Sequence, residues 1–288
     1  MTAKNTIVVG VDGSDGSGRA VAWAASTAVS HGYSLRIVTA VDVPARLTDE
    51  QALEFRRVAK SRLTASAEIA RGVGGGAALD IAGEARDGNV VDVLLDESAR
   101  CALVVLGASG LNESDSRLLG SASIGLSAHA HSPVAVVRGR SIDTDGAPGP
   151  VVVGIDGSAV NQAAIAAGFD EASRRGAPLV AVHVWSDVSL GQISAVPQQW
   201  EDIAASEEAV LAESLAGWQE KYPDVDVRRV VAQDRPVRVL GQMSEEASLI
   251  VVGNRGRGGF TGMLLGSTSY ALIHTADCPV LVVRGRQN

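Results

Sequence analysis

One glycine-spaced loop occurs twice in this chain. The spacing G-x2-G-x9-G-S is found at Gly107–Ser121 and again at Gly253–Ser267. In both copies a short apolar run, Leu103–Leu106 or Leu249–Val252, directly precedes the loop, and a helix-like stretch follows it. A strand, a glycine-rich loop and a helix N-terminus together form a backbone arrangement that binds phosphate. The repetition therefore predicts a duplicated nucleotide-binding module.

Strand and helix signals alternate through both halves of the chain. Thr6–Asp12 and Pro150–Asp156 are apolar runs of the kind found in buried parallel strands, and Ala77–Ala82 and Val225–Val231 are the predicted third strands. Alternation of this kind favours parallel strands, because each crossover helix returns the chain to the same edge of the sheet. We predict an α/β protein with two tandem, doubly wound, five-stranded parallel sheets.

The length of 288 residues suits two domains of ordinary size. Residues 141–149 are polar and contain glycine and proline, as is typical of a boundary between domains. We therefore predict a first domain at 1–140, a linker at 141–149 and a second domain at 150–288.

Composition excludes several classes of protein. A net charge of −8 and an aromatic content of 3% argue against a nucleic-acid binder, which needs a basic face or stacking platforms. Cys101 and Cys278 do not occupy equivalent positions of the repeat, so we expect two small buried hydrophobic residues and no zinc site or disulfide framework. No apolar run is long enough to span a bilayer and no signal peptide is visible, so the expected location is the cytoplasm.

The second loop, GNRGRGGFTGMLLGS, has the stronger phosphate-binding character. Its glycines allow backbone N–H groups to approach phosphate oxygens, and Arg255 and Arg257 add positive charge. Ser267 could donate its hydroxyl to a ligand or only cap the helix, and a flexible surface loop is the plain alternative. The residues that we assign to nucleotide contacts here are Gly253, Asn254, Arg255, Gly256, Arg257, Gly258, Gly259, Gly266, Ser267, Thr268 and Ser269.

The first loop, GASGLNESDSRLLGS, keeps the glycine spacing but loses the arginine pair. Glu113 and Asp115 would repel a polyphosphate if they faced it, and Arg117 is the one cation that remains in the loop. We therefore predict weaker nucleotide binding in the first half. The residues assigned here are Gly107, Ala108, Ser109, Gly110, Arg117, Gly120, Ser121 and Ala122.

Asp12 and Asp156 follow the first strand of each half, at its carboxyl end. Ligands of open parallel sheets bind beside these ends, where an aspartate can accept a hydrogen bond from a ribose hydroxyl or an amino group. The alternative role is an N-cap of the next helix. Gly10 and Gly154 are expected to leave room for a base or sugar.

The second strands end at Val41 and Val184, which could pack against a base or simply belong to the core. Asp187 lies just beyond and could reach the ligand or occupy a surface turn. We include Val41, Val184 and Asp187 among the candidate ligand-binding residues.

These features together resemble the universal stress protein family, in the tandem two-domain form typical of mycobacteria and related actinobacteria. The glycine signature at Gly107–Ser121 and Gly253–Ser267 and the V-G-[VI]-D-G-S sequences at Val9–Ser14 and Val153–Ser158 carry the resemblance, which covers essentially the whole chain. It implies the ATP-binding subclass and a Rossmann-like fold of the adenine nucleotide alpha hydrolase type, with strand order 3-2-1-4-5. In relatives the matching aspartates contact the nucleotide, the matching valines pack near adenine, and the loops hold the phosphates.

The chain lacks a Walker G-x4-G-K-[ST] sequence, and neither loop contains a lysine. No Ser-His-Asp arrangement or acidic cluster for metals can be supported from the sequence, so we assign no catalytic residue and no metal ligand. We expect a regulatory stress-response module that binds ATP, with Mg²⁺ as the accompanying ion, and hydrolyses it slowly or not at all. A slow ATPase or phosphotransferase and a scaffold with a structural nucleotide are the alternatives.

The similar endings SPVAVVRGR and CPVLVVRGR predict strands at sheet edges, which invite pairing with another strand. We therefore expect the two halves to pair as a pseudo-dimer and the chain to form a homodimer. The remaining expected partners are an adenine nucleotide and an unidentified regulatory protein, with no nucleic acid and no membrane.

Overall fold

The structure, a computed structural model, describes residues 5–44, 46–73, 79–108, 120–138, 149–185, 197–257 and 264–285. The chain divides into two compact units, Met1–Ser141 and Ile142–Asn288. Residues 139–148 lie outside the described ranges, so the limits of the linker at 141–149 stay a prediction.

The first unit alternates strands and helices along the chain. Its elements are β1 (Thr6–Gly10), α1 (Asp15–His31), β2 (Ser34–Val41), α2 (Asp49–Val73), β3 (Ile81–Asp87), α3 (Val90–Ser98), β4 (Leu103–Gly107), α4 (Ser121–His129) and β5 (Val134–Val137).

The second unit follows the same order, with its long second helix divided in two. Its elements are β6 (Val151–Ile155), a 3₁₀ turn (Ala159–Asn161), α5 (Gln162–Arg175), β7 (Leu179–Trp185), α6 (Pro197–Ser214), α7 (Trp218–Lys221), β8 (Val227–Gln233), α8 (Pro236–Met243), β9 (Leu249–Gly253), α9 (Ser267–Thr275) and β10 (Val280–Val283).

All strand pairs within each unit are parallel, and each unit has the order 3-2-1-4-5. In the first unit the order is β3-β2-β1-β4-β5, and in the second it is β8-β7-β6-β9-β10. The first strand of each unit is central: β1 pairs with β2 and β4, and β6 pairs with β7 and β9. The predicted α/β fold and strand order are confirmed. The carboxyl ends of the three central strands therefore lie side by side, which is where a doubly wound sheet binds ligands.

The local chemistry of the first unit explains where α1 begins and ends. The Ser14 hydroxyl accepts a hydrogen bond from the Ser17 amide, which caps the N-terminus of α1. Gly32 ends the helix in the left-handed region, at φ 66°, where a side chain would be strained. Between these caps, Trp23 is 1% exposed and packs into the core with the neighbouring alanines of the helix.

The third strands begin later than the apolar patterns predicted. β3 covers Ile81–Asp87 instead of Ala77–Ala82, and β8 covers Val227–Gln233 instead of Val225–Val231. Both are edge strands with mostly exposed or half-buried residues, so no continuous apolar run marks them. The long helix predicted before β8 is interrupted at Gly217, which has φ 77° and separates α6 from α7.

Each unit has an edge strand, β5 or β10, at the far end of its own strand order. Association of the two halves with each other, or of one chain with another, stays a prediction.

In the parts of the chain that the structure describes, none of the helices has both the length and the apolar character needed to cross a bilayer.

Candidate functional site

The second unit contains a cavity of about 600 Å³ at the carboxyl ends of β6, β7 and β9. The N-terminus of α9 forms one side, and residues of α6 and α8 form the other. This volume lies within the usual range for small-molecule sites.

The glycine loop before α9 is fixed at both ends by hydrogen bonds. The Gly266 amide donates to the Asn254 carbonyl (2.7 Å), and the Asn254 amide donates to the Val283 carbonyl of β10 (2.8 Å). The Ser269 hydroxyl donates to the Gly253 carbonyl (2.6 Å). These contacts hold the end of β9 beside the first turn of α9, so the strand end and the helix N-terminus face the same cavity.

The α9 end of the cavity has the character of an anion site. The helix begins after Gly266 without a side-chain cap, so the first N–H groups of α9 have no intrahelical acceptor. Ser267, Thr268 and Ser269 of this first turn line the cavity. Arg255 lines it as well, and its buried Nε has no hydrogen-bond partner among the described residues. An unpaired guanidinium nitrogen in the same cavity as an uncapped helix N-terminus favours a bound phosphate.

Asp156 connects the end of β6 to the glycine loop. Its Oδ1 accepts from the Ser158 amide (2.8 Å) and hydroxyl (2.7 Å), and its Oδ2 accepts from the Arg257 amide (3.0 Å). A Cβ at Gly256 would lie 2.9 Å from Oδ2, so only glycine permits this approach. Asp156 is not the N-cap of the following turn, a position that Ser158 occupies.

The β7 side of the cavity is largely apolar. Val182, Val184 and Trp185 of β7 line it together with Pro236 and Leu240 of α8. Such a wall suits the flat face of a base. Polar groups are few at this end, so each one has a large influence on which ligand fits.

Two of these polar groups form a buried pair that the sequence analysis did not single out. His183 is 2% exposed; its Nδ1 lies 2.7 Å from the Ile155 carbonyl oxygen, and its Nε2 lies 2.6 Å from Glu207 Oε2. Both side chains line the cavity. A histidine inside the apolar strand LVAVHVW was a usable signal, whereas Glu207 lies in a polar helix and gave none.

Asn161 was also missed. It is 3% exposed and lines the cavity; its Nδ2 donates to the Gly154 carbonyl (3.1 Å), while its Oδ1 has no partner among the described residues. A buried amide oxygen without a partner is costly, so it marks a position where a ligand donor or a water is needed.

The structure brings most of the predicted second-unit residues together. Those that line the cavity are Gly154, Asp156, Val184, Gly253, Arg255, Gly256, Arg257, Gly266, Ser267, Thr268 and Ser269. Asn254 instead fixes the loop through its backbone, and Asp187, Gly258 and Gly259 lie outside the described residues. That these residues bind a nucleotide stays a prediction.

The first unit repeats the backbone connections of this site. The Gly120 amide donates to the Ala108 carbonyl (2.8 Å), and the Ser123 hydroxyl donates to the Gly107 carbonyl (3.2 Å). Asp12 Oδ1 accepts from the Ser14 amide and hydroxyl, as Asp156 does from Ser158. Ser121 and Ala122 begin α4 after an uncapped glycine. Ser109, Gly110 and Arg117 lie outside the described residues.

Neighbouring side chains occupy the side of Gly10 and of Gly154 where a side chain would lie, and that these glycines leave room for a base or sugar stays a prediction. A Cβ at Gly10 would lie 2.7 Å from Leu106 Cδ2, and one at Gly154 would lie 3.2 Å from Leu240 Cδ1. These glycines therefore let the first strands pack closely against leucines. Gly154 still lines the cavity through the rest of its surface.

Val41 and Val184 are not equivalent positions. Gly10 is paired with Val38 and Gly154 with Val182, so Val184 corresponds to Ala40, and Val41 corresponds to Trp185.

Val41 lines a separate cavity of about 350 Å³ in the first unit. Arg62 lines this cavity too, and its side chain lies next to Gly13, so the first unit has a cation near its strand ends that the loop sequence did not predict.

Within the described residues there is no group of three or more His, Cys, Asp or Glu side chains arranged to hold a metal ion. Cys101 and Cys278 are both buried, as expected, and their thiols are free. The Cys101 Sγ lies 3.4 Å from the Ser132 hydroxyl.

Comparison with known proteins identifies relatives along the whole chain. The sequence profile of the Universal stress protein family matches residues 4–138 and again 149–284. Universal stress protein Rv1996 of Mycobacterium tuberculosis is 41% identical, over 99% of this chain and 97% of its own length. A second protein of that organism, Rv2005c, is 42% identical over 96% of each chain.

A solved structure supports the same assignment at the level of the fold. The crystal structure of a universal stress protein from Archaeoglobus fulgidus has a TM-score of 0.71 and 22% identity, and the match covers 98% of both chains. Another solved structure, matched over 46% of this chain and 97% of its own at 27% identity and a TM-score of 0.38, is a universal stress protein in complex with cAMP. Two profile matches, two relatives of nearly full length and the shared fold show that this chain is a member of the universal stress protein family, with two tandem family domains.

Proposed function

We propose that this protein is a regulatory stress-response protein that binds ATP in the cavity of the second unit, with little or slow hydrolysis. The observation that carries the proposal is that one end of the cavity is suited to an anion and the other end is apolar. One end has the uncapped N-terminus of α9 and the Arg255 guanidinium, and the other has the apolar residues Val182, Val184 and Trp185. A nucleotide has this same division between phosphates and base.

The carboxylates that line the cavity favour binding over rapid chemistry. Asp156 is held by Ser158 and the Arg257 amide, and Glu207 is held by His183. A general base needs a free acceptor aimed at the attacking water. Both oxygens of Asp156 accept hydrogen bonds, and Glu207 pairs with His183 of β7, on the side of the cavity away from the α9 end where the phosphates would be bound, which agrees with slow turnover. A magnesium ion would arrive with ATP, bound to the phosphate oxygens.

Release of bound nucleotide tests the proposal. Protein purified without added nucleotide is denatured, and the released nucleotide is identified and counted by chromatography and mass spectrometry. We expect ATP, at between one and two molecules per chain, with the first unit contributing the smaller share because its loop carries Glu113 and Asp115.

Two other outcomes are informative. ADP in place of ATP would move the assignment towards a slow ATPase. If no nucleotide is released and calorimetric titration with ATP gives no heat, the proposed function is wrong.

A matched pair of variants links binding to this cavity. Arg255→Ala removes the half-buried guanidinium at the anion end, whereas Arg238→Ala removes an exposed arginine that pairs with Asp234 on the surface. Loss of bound ATP in the first variant and its retention in the second would support the assignment.

A further inference from the structure

The His183–Glu207 pair lies in the cavity and is not used by the phosphate contacts. This inference rests on the proposed function. We propose that Glu207, held by His183, determines base specificity in the second unit by accepting a hydrogen bond from the exocyclic amino group of adenine.

The protonation pattern follows from the partners of His183. The Ile155 carbonyl can only accept, so Nδ1 carries a hydrogen and donates to it. At 2.6 Å, Nε2 and Glu207 Oε2 also need a proton between them, because two lone pairs at that distance would repel. The pair therefore holds this proton on the line between Nε2 and Oε2.

This arrangement fixes what Glu207 offers to a ligand. Whether the shared proton lies nearer the imidazole or the carboxylate, the second oxygen, Oε1, presents lone pairs only. Oε1 has no hydrogen-bond partner among the described residues, and Glu207 lines the cavity. Oε1 of Glu207 can therefore accept a hydrogen bond from a ligand but cannot donate one.

The pair also removes an electrostatic conflict. A lone carboxylate near a polyphosphate would weaken binding through repulsion between like charges. His183 supplies the compensating proton, so the pair as a whole is neutral. The cavity can therefore combine a carboxylate acceptor with an anionic ligand.

Strand order places Glu207 at the base end of the ligand. The phosphate-binding residues follow β9, Asp156 follows β6, and His183 lies on β7. Neighbouring strands are about 4.8 Å apart, so β9 and β7 are separated by about 10 Å. That span is comparable to a nucleotide measured from its phosphate to its base, whereas Asp156 lies at the intermediate position of the ribose.

The first unit does not repeat this pair. Sheet register places Thr39 at the position of His183, and the Thr39 hydroxyl is buried without a partner among the described residues. Base selection by Glu207 is therefore specific to the second unit.

The test compares ATP with inosine triphosphate, which has a carbonyl oxygen in place of the amino group. Binding to the second unit is followed by the fluorescence of Trp185, which lines the cavity; Trp185→Phe identifies its part of the signal. We expect the full-length protein to bind ATP about 10- to 100-fold more tightly than inosine triphosphate, because a carbonyl would face Oε1 without a hydrogen between them.

Three variants test the role of Glu207. Glu207→Ala should reduce the preference to about threefold or less, since the acceptor is gone. Glu207→Gln should keep most of it, because the amide N–H₂ can donate to a neutral His183 and leave the amide oxygen facing the cavity. Glu208→Ala, at the exposed neighbouring position on the same helix, is the matched control and should not change it. Circular dichroism checks that each variant is folded.

The outcomes separate this inference from the proposed function. If wild type binds both nucleotides equally, or if Glu207→Ala keeps the preference for ATP, the inference is wrong while ATP binding stands. If Glu207→Ala instead removes discrimination against ATP analogues lacking the 2′- or 3′-hydroxyl, Glu207 contacts the ribose and the base assignment is wrong. If neither triphosphate binds, the proposed function fails, and the inference fails with it.

Discussion

Gly107 and Gly253 occupy the same position of the repeated loop, but an added methyl group would meet different obstacles in the two units. A Cβ at Gly107 would lie 2.6 Å from the carbonyl carbon and 2.7 Å from the carbonyl oxygen of Gly16. These are backbone atoms of α1, which cannot rotate away as a side chain can. A Cβ at Gly253 would lie 2.9 Å from the Arg255 carbonyl oxygen, and its next neighbour is 3.6 Å away.

The expected magnitudes follow from these contacts. Overpacking a tight site costs about 1–3 kcal/mol, and Gly107→Ala should fall in this range because α1 must move. For a unit of this size we expect the melting midpoint to fall by about 3–5 °C per kcal/mol, so by about 3–15 °C. For Gly253→Ala we expect a smaller loss of about 1 kcal/mol, because only one close contact forms, with the Arg255 carbonyl oxygen of the loop. The displaced Arg255 peptide should also weaken ATP binding.

The assay is thermal unfolding of the full chain, followed by circular dichroism without nucleotide, together with calorimetric titration of ATP. Gly241→Ala is the control, since a Cβ there meets nothing within 4 Å and should be neutral or stabilising. Equal destabilisation by Gly107→Ala and Gly253→Ala would refute the reasoning, as would a Gly107→Ala protein with an unchanged midpoint.

Two further predictions concern charge and burial. Arg255→Ala should weaken ATP binding by about 10- to 100-fold through loss of a charge-assisted hydrogen bond; calorimetry measures this, and an unchanged affinity would exclude the guanidinium from the site. Burial raises the pKa of the Cys278 thiol from 9.0 to about 12. Because the folded state keeps its proton longer, this contribution to the free energy of unfolding is full below pH 9, falls by up to about 1.4 kcal/mol per pH unit and is lost by about pH 12. The free energy of unfolding, measured by urea denaturation at several pH values in this range, should fall less steeply with pH in Cys278→Ala than in the wild type. An identical pH dependence in the two proteins would contradict the raised pKa of the thiol.

The fold was predictable because its central strands are continuous apolar runs bounded by glycine and aspartate. The edge strands were placed too early because Ile81–Asp87 and Val227–Gln233 are largely solvent-facing, so local hydrophobicity carries little information about them. The break between α6 and α7 depends on the positive φ of Gly217, a glycine in a polar stretch that gave no other signal.

The candidate site was predictable where it depends on the backbone and less so where it depends on side chains from distant parts of the chain. The glycine signature identifies the end of β9 and the start of α9, because turn geometry and helix N-termini depend on local sequence. Glu207 reaches His183 from 24 residues away, and only tertiary packing brings the two together. The equivalence of Val41 with Trp185 likewise required the strand register, since the surrounding sequences differ.

The uncapped starts of α4 and α9 have a consequence for how the protein responds to nucleotide concentration. Each helix begins at a glycine, so among the described residues neither helix has a side-chain cap for its first N–H groups. A bound phosphate would then complete the helix itself, and binding would raise the stability of that unit by RT ln(1 + [L]/Kd). The free energy of unfolding would thus rise with the nucleotide concentration. The lifetime of the protein in the cell would then depend on that concentration. An aspartate introduced at Gly266 would give the helix a cap of its own, and repulsion between its carboxylate and a phosphate would weaken the binding on which this stabilisation depends.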